Sequence, residues 1–94
     1  MKLTPQQVSV FLKKVPNWKI SSDGSKIQRS LKFADFNQAF GFMTRVAIYA
    51  DKFDHHPNWS NVYNSVNVEL WTHDVNGLTE RDFSLAEFID LITV

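Results

Sequence analysis

The sequence predicts an α+β fold: a four-stranded antiparallel sheet with three helices packed on one face, in the order α-β-β-α-β-β-α. Three observations carry this expectation. Three segments repeat apolar residues at helical spacing, each opened by a capping residue. The stretches between them alternate apolar and polar residues, the period of a strand with one buried face. Turn signals divide the strands into two hairpins on either side of the central helix, and two such hairpins join most simply as one antiparallel sheet.

The first helix opens with Thr4-Pro5-Gln6-Gln7. Thr4 caps, Pro5 takes the first helical position, where its missing N–H costs nothing, and Gln7 completes a capping box. Val8, Phe11, Leu12 and Val15 form one stripe, Lys13 and Lys14 suit the negative end of the helix dipole, and Pro16 stops the helix. Trp18 and Ile20, then Ile27, Leu31 and Phe33, alternate with polar neighbours around a Ser22-Asp23-Gly24-Ser25 hairpin turn. The second helix opens at Asp35, with Gln38 three residues on. Its main stripe is Phe36, Ala39, Phe40, Met43, Val46, Ala47 and Ala50, while Phe42, Tyr49 and Phe53 lie off that stripe. A helix apolar on two sides is buried on two sides. Phe42, Tyr49 and Phe53 are therefore expected to meet another subunit. A short strand around Trp59 to Tyr63 turns near Asn64 into the strand of Val66, Val68 and Leu70, which His73 closes. The third helix opens at Thr79, with Asp82 at its third position, and buries Leu85, Phe88, Ile89 and Ile92.

At 94 residues, one domain spanning 1–94 is the expected count. Ten basic side chains balance ten acidic ones, which argues against a nucleic-acid or anionic-membrane binder. The absence of cysteine excludes disulfides, thiolate catalysis and cysteine-type zinc sites. No apolar run approaches the roughly 20 residues of a membrane span. The polar stretch Met1 to Ser9, with Pro5 inside it, does not read as a signal peptide. The expectation is a soluble intracellular protein.

The polar chemistry is unevenly placed. All three histidines fall between positions 55 and 73. His55-His56-Pro57-Asn58-Trp59 follows the long helix directly, and His73 precedes Asp74-Val75-Asn76-Gly77. Asp51 lies one turn before His55, and Asp82 lies in the first turn of the last helix. If the end of the second helix meets the end of the last strand, imidazoles and carboxylates share a pocket, and Trp59 offers a flat wall for a planar ligand. Each residue also has a plainer role: His-His-Pro as a helix stop, Asp82 as the capping partner of Thr79, Trp59 as packing. Three histidines with Asp51 are suitable zinc ligands, but no HxxxH or HxH pair occurs, so no metal site is expected.

The run Asp54-His55-His56-Pro57-Asn58-Trp59, then Val62-Tyr63-Asn64, Thr72-His73 and Gly77-Leu78-Thr79-Glu80-Arg81-Asp82, closely resembles the pterin-4a-carbinolamine dehydratase family. The run from Asp35 to Ala47 resembles the long helix of its animal-type members. The resemblance implies a four-stranded antiparallel sheet with three helices on one face. It also implies a hydro-lyase that converts 4a-hydroxytetrahydropterin to quinonoid dihydropterin and water, recycling the tetrahydrobiopterin cofactor of aromatic amino acid hydroxylases. Position by position, the family's catalytic histidines fall on His55, His56 and His73, and its substrate-binding residues on Asp51, Asp54, Trp59, Thr72 and Asp82. Trp71 departs from the family, standing where relatives often carry a small residue.

Further implications follow from the same resemblance. Members need no metal or prosthetic group and form homodimers or homotetramers, the tetramers through packing of long helices. Their setting is cytoplasmic, with a nuclear setting open as well. The alternative function is a non-enzymatic dimerisation scaffold or transcriptional coactivator that binds a homeodomain transcription factor through the long apolar helix. Histidine suits the dehydration because its ordinary pKa near 6.5 makes both protonation states available at neutral pH. His56 and His73 are expected closest to the reacting atoms, with His55 assisting and Asp51 fixing a ring tautomer.

Overall fold

A computed structural model of the chain describes residues 1–93. The first helix, α1 (Pro5–Leu12), starts with the expected reciprocal cap: the Gln7 N–H donates to Thr4 Oγ1 at 3.2 Å and the Thr4 N–H to Gln7 Oε1 at 2.9 Å. The helix ends at Leu12, and Val15 is buried from the following turn rather than from the helix itself. Strand β1 (Lys19–Ile20) is only two residues long, because Trp18 is already committed to the core and its Nε1–H donates to Asp90 at 2.8 Å. The hairpin that follows is organised by Asp23. Its carboxylate accepts from the Ser25 hydroxyl, the Ser25 N–H and the Ser21 hydroxyl, and these bonds hold its pKa down at about 2. Gly24 supplies the left-handed turn residue at φ +76°.

Strands β2 (Ile27–Lys32), β3 (Asn58–Val62) and β4 (Ser65–Leu70) complete an antiparallel sheet in the order β1-β2-β4-β3. The two six-residue strands occupy its centre and pair from Ile27↔Leu70 to Lys32↔Ser65. Period-2 alternation fixes the register. Ile27, Leu31, Val66, Val68 and Leu70 are buried, while Gln28, Ser30 and Asn67 are exposed on the opposite face. The buried set joins side chains of α1, α2 (Phe36–Phe53) and α3 (Glu80–Ile92) in one apolar cluster. The helices therefore cover one face of the sheet and leave the other polar. Arg29 points to the covered side and is neutralised there by Asp90 of α3. In α3, Phe83, Leu85, Ala86 and Ile89 are buried, whereas Phe88 and Ile92 are only partly covered.

The long helix corrects one expectation. Its inward face is Ala39, Phe42, Val46 and Ala50, with Tyr49 stacked on Phe88 at 4.4 Å between ring centroids. Phe42 and Tyr49 are thus core residues, not an outward side facing another subunit. Phe36 and Phe40, assigned to the core stripe, are 49% and 55% exposed, and their rings lie 5.8 Å apart. Successive residues turn by about 100°. The buried sector centres on Val46, and the Phe36–Phe40–Ala47 sector flanks it toward solvent. Phe53, expected on the outward side, is half-exposed and touches Tyr49.

Candidate active site

Three chain reversals build the site. The first is the end of α2. Asp54 adopts a left-handed conformation (φ +51°), its N–H donates to the Asp51 carbonyl, and the N–H of His55 reaches back to the Ala50 carbonyl at 3.0 Å. This is a Schellman closure, and it turns the residue after the left-handed position back under the helix. His55 is buried as a result, while His56, one residue on and biased to extended geometry by Pro57, remains exposed.

The second reversal follows β4. Thr72 and Gly77 exchange backbone hydrogen bonds in an isolated bridge, closing a six-residue loop. Within it His73–Val75 form a single 3₁₀ turn, stopped by Asn76 at φ +50°. His73 therefore opens a turn instead of closing the strand, and its ring is exposed beyond the sheet edge.

The third is the N-terminus of α3, where Asp82 is fully buried. Its Oδ2 accepts the Thr79 N–H at 2.9 Å and the Thr72 hydroxyl at 2.8 Å, and its Oδ1 lies 2.6 Å from His55 Nε2. The Thr72 hydroxyl has one hydrogen, which goes to Asp82, so the Thr79 hydroxyl donates to Thr72 across 2.8 Å. A carboxylate is acceptor-only, so His55 Nε2 carries the hydrogen of this contact. Asp82 is both the capping partner of Thr79 and the anchor of an imidazole; the two readings of the sequence describe one side chain.

These elements enclose a cavity of about 290 Å³ bordered by His55, His56, Thr72 and His73, with Asp54 and Asp74 adding carboxylates and Trp71 and Arg81 completing the wall. Five of the expected site residues line it directly: Asp54, His55, His56, Thr72 and His73. Asp82 stands behind His55 and Thr72. Two residues lie elsewhere. Asp51 is exposed and outside the cavity wall, so the carboxylate that orients His55 is Asp82 and not Asp51. Trp59 pairs with Val68 on the covered face of β3 and packs partly buried against the core.

Arg81 is the residue that sequence reasoning passed over. Its Nη2 donates to the carbonyls of Phe53 and Asp54 at 2.7 and 2.6 Å. It satisfies acceptors that the end of α2 leaves open and ties that helix to α3. An adjoining hollow of about 340 Å³ shares His55 and Arg81 and opens towards Tyr49 and Phe53. Among the described residues no three His, Asp or Glu side chains converge closely enough to hold a metal ion, and no helix is long and apolar enough to cross a membrane.

Comparisons with known proteins bear on the family and on the fold. The family described as pterin 4 alpha carbinolamine dehydratase matches residues 1–92. A protein of Burkholderia vietnamiensis, provisionally named pterin-4-alpha-carbinolamine dehydratase, is 57% identical over 91 residues, covering 97% of this chain and 89% of that protein. A relative of the same provisional name from Burkholderia pseudomallei is 58% identical over 89 residues, covering 95% and 88%. A crystal structure described as a transcriptional coactivator/pterin dehydratase from Brucella melitensis superposes over all of both chains with a TM-score of 0.96 and 42% identity. A pterin dehydratase-like protein described as a RuBisCO assembly factor in the alpha-carboxysome shares the fold alone, at a TM-score of 0.70 and 18% identity over 81% of this chain and 88% of that one.

Proposed function

The chain belongs to the pterin 4 alpha carbinolamine dehydratase family, and from that premise we propose that it dehydrates 4a-hydroxytetrahydropterin to quinonoid dihydropterin by histidine acid–base catalysis. The observation that carries this reading is the buried His55–Asp82 pair in the wall of a cavity that two exposed imidazoles, His56 and His73, also border. The reaction removes the proton on pterin N5 and expels the C4a hydroxyl as water. One group accepts the N5 proton while another protonates the leaving hydroxyl, so no net charge is left on the protein. His56 and His73 border the cavity from different chain segments, which lets two proton-transfer groups act at separate atoms of one substrate. His55, held by Asp82, keeps a fixed tautomer beside them. Asp54 offers acceptors to the amide-like edge of the pterin. Asp51 and Trp59, outside the cavity, receive no role in contacting the substrate here.

The assay is the addition of purified protein to freshly made 4a-hydroxytetrahydropterin, followed by ultraviolet absorbance. The rate is expected to rise with protein concentration and to be unchanged by EDTA. Loss of activity to chelator and its recovery with zinc would favour metal-assisted chemistry instead.

The same reading includes self-association through the exposed flank of α2. Phe36 and Phe40 present adjacent rings to solvent, and a second copy can use the same patch in a two-fold interface. Phe40→Lys is expected to lower the mass measured by light scattering at micromolar concentration while leaving the melting temperature nearly unchanged. Phe42→Lys, a core substitution, should instead unfold the chain. A wild type that is monomeric at these concentrations contradicts the proposal. The Brucella melitensis protein is described as a transcriptional coactivator as well as a pterin dehydratase, and the alternative occupant of this flank is a helix of a partner protein. Partner binding that survives His73→Ala while turnover is lost would show that alternative as a second, separable function.

A further inference from the structure

We propose that Trp71 is a positioning residue for His73, holding the imidazole by its face so that both ring nitrogens stay free for proton exchange; the role rests on the dehydratase reading above. The Trp71 and His73 rings stack with centroids 4.5 Å apart and planes inclined by only 14°. Trp71 is half-buried, whereas His73 is exposed at the start of the 3₁₀ turn. An exposed imidazole otherwise samples several rotamers, and a misdirected ring contributes little to positioned proton transfer. Stacking restricts that sampling without using a nitrogen, because the imidazole nitrogens lie in the ring plane and point along the edge of the stack. His55 is held in the opposite way, through one nitrogen by a carboxylate.

The indole is itself braced. The pairing Ile27↔Leu70, extended by one residue, sets Lys26 across from Trp71, and the Lys26 ammonium lies 4.3 Å from the indole centroid. A cation at this distance is attracted by the ring quadrupole. Trp71 is therefore fixed by the β2–β4 register on one side and fixes a cavity histidine on the other. A small residue at this position would leave His73 without its stacking partner.

The test combines a spectroscopic and a kinetic readout on Trp71→Ala, Trp71→Phe and the wild type, each checked for folding by circular dichroism. In carbon–proton NMR spectra, the His73 ring protons are expected upfield of those of His56 in the wild type, through the indole ring current. That displacement should vanish in Trp71→Ala and persist in part in Trp71→Phe. In the pterin assay, kcat of Trp71→Ala should fall by about three- to ten-fold, the factor a single aromatic pair is worth, with KM little changed. Trp71→Phe should recover most of it. Unshifted His73 protons in the wild type, a wild-type kcat in Trp71→Ala, or a change confined to KM would each overturn the assignment. A wild type with displaced His73 protons and no dehydratase activity would overturn the dehydratase reading, and with it the catalytic purpose of the stack. Wild-type activity that is indifferent to Trp71→Ala would remove the role of Trp71 alone.

Discussion

His56→Ala and His73→Ala are each expected to lower kcat by up to ~10²–10⁴-fold, the contribution of one positioned acid or base. Their melting temperatures should move by no more than a few degrees: both rings are exposed, where substitutions usually change stability by no more than about 0.5 kcal/mol, and His73 gives up in addition only its stack on Trp71. His55→Ala should behave differently. His55 is 8% exposed and bonded to Asp82, so its removal should reduce stability as well as turnover. Replacing all three should cost much less than the product of the single losses, because residues that act as one unit are not additive. Turnover and melting temperature measured on the same preparations separate these cases. Three variants that melt early yet turn over normally when folded would make the cluster structural.

Among changes within the site, Asp82→Ala is expected to be the most damaging to the fold. It leaves three donors without their acceptor at once: His55 Nε2, the Thr72 hydroxyl and the Thr79 N–H. All three belong to buried residues. Removing one partner of such a buried pair typically costs about 3–5 kcal/mol. A domain of this size loses about 4–8 °C of melting temperature per kcal/mol, so the variant should melt well over 10 °C early or fail to fold. Asp82→Asn preserves the volume and one acceptor. It should melt between the two while still losing turnover, because an amide no longer enforces the His55 tautomer. Thermal melts followed by circular dichroism check the first claim. An Asp82→Ala protein that melts with the wild type would show that the network is not what ties α3 to the loop after β4.

Most of the architecture was legible because it is local. Thr4 with Gln7, and Thr79 with Asp82, mark helix starts through contacts three residues apart. The alternation of Val66, Val68 and Leu70 marks the covered face of β4 through a period of two. Choosing between two apolar sides of one helix is different. Phe36 and Phe40 are as apolar as Phe42 and Tyr49, and only packing against Phe88 and the sheet decides which pair turns inward. The site divides along the same line. The three histidines stood out as a cluster in sequence, and all three border one cavity. Asp82 stood out as a site carboxylate, but its pairing with His55 did not, and the tautomer-fixing role was expected of Asp51. Asp51 is the neighbour of His55 if the helix simply continues, but the left-handed Asp54 breaks that continuity and turns His55 towards Asp82, 27 residues away. Arg81 left no signal, since an exposed arginine in a helical first turn resembles any other until its reach to the Phe53 and Asp54 carbonyls is seen.

The most direct measurement of histidine-dependent dehydration is the absorbance decay of freshly made 4a-hydroxytetrahydropterin, recorded with equal concentrations of wild type and of the His55→Ala/His56→Ala/His73→Ala variant. Circular dichroism establishes that both are folded. The wild type is predicted to accelerate the decay in proportion to its concentration, and the triple variant to approach the uncatalysed background. Equal rates for the two folded proteins would contradict histidine-dependent dehydration by this chain.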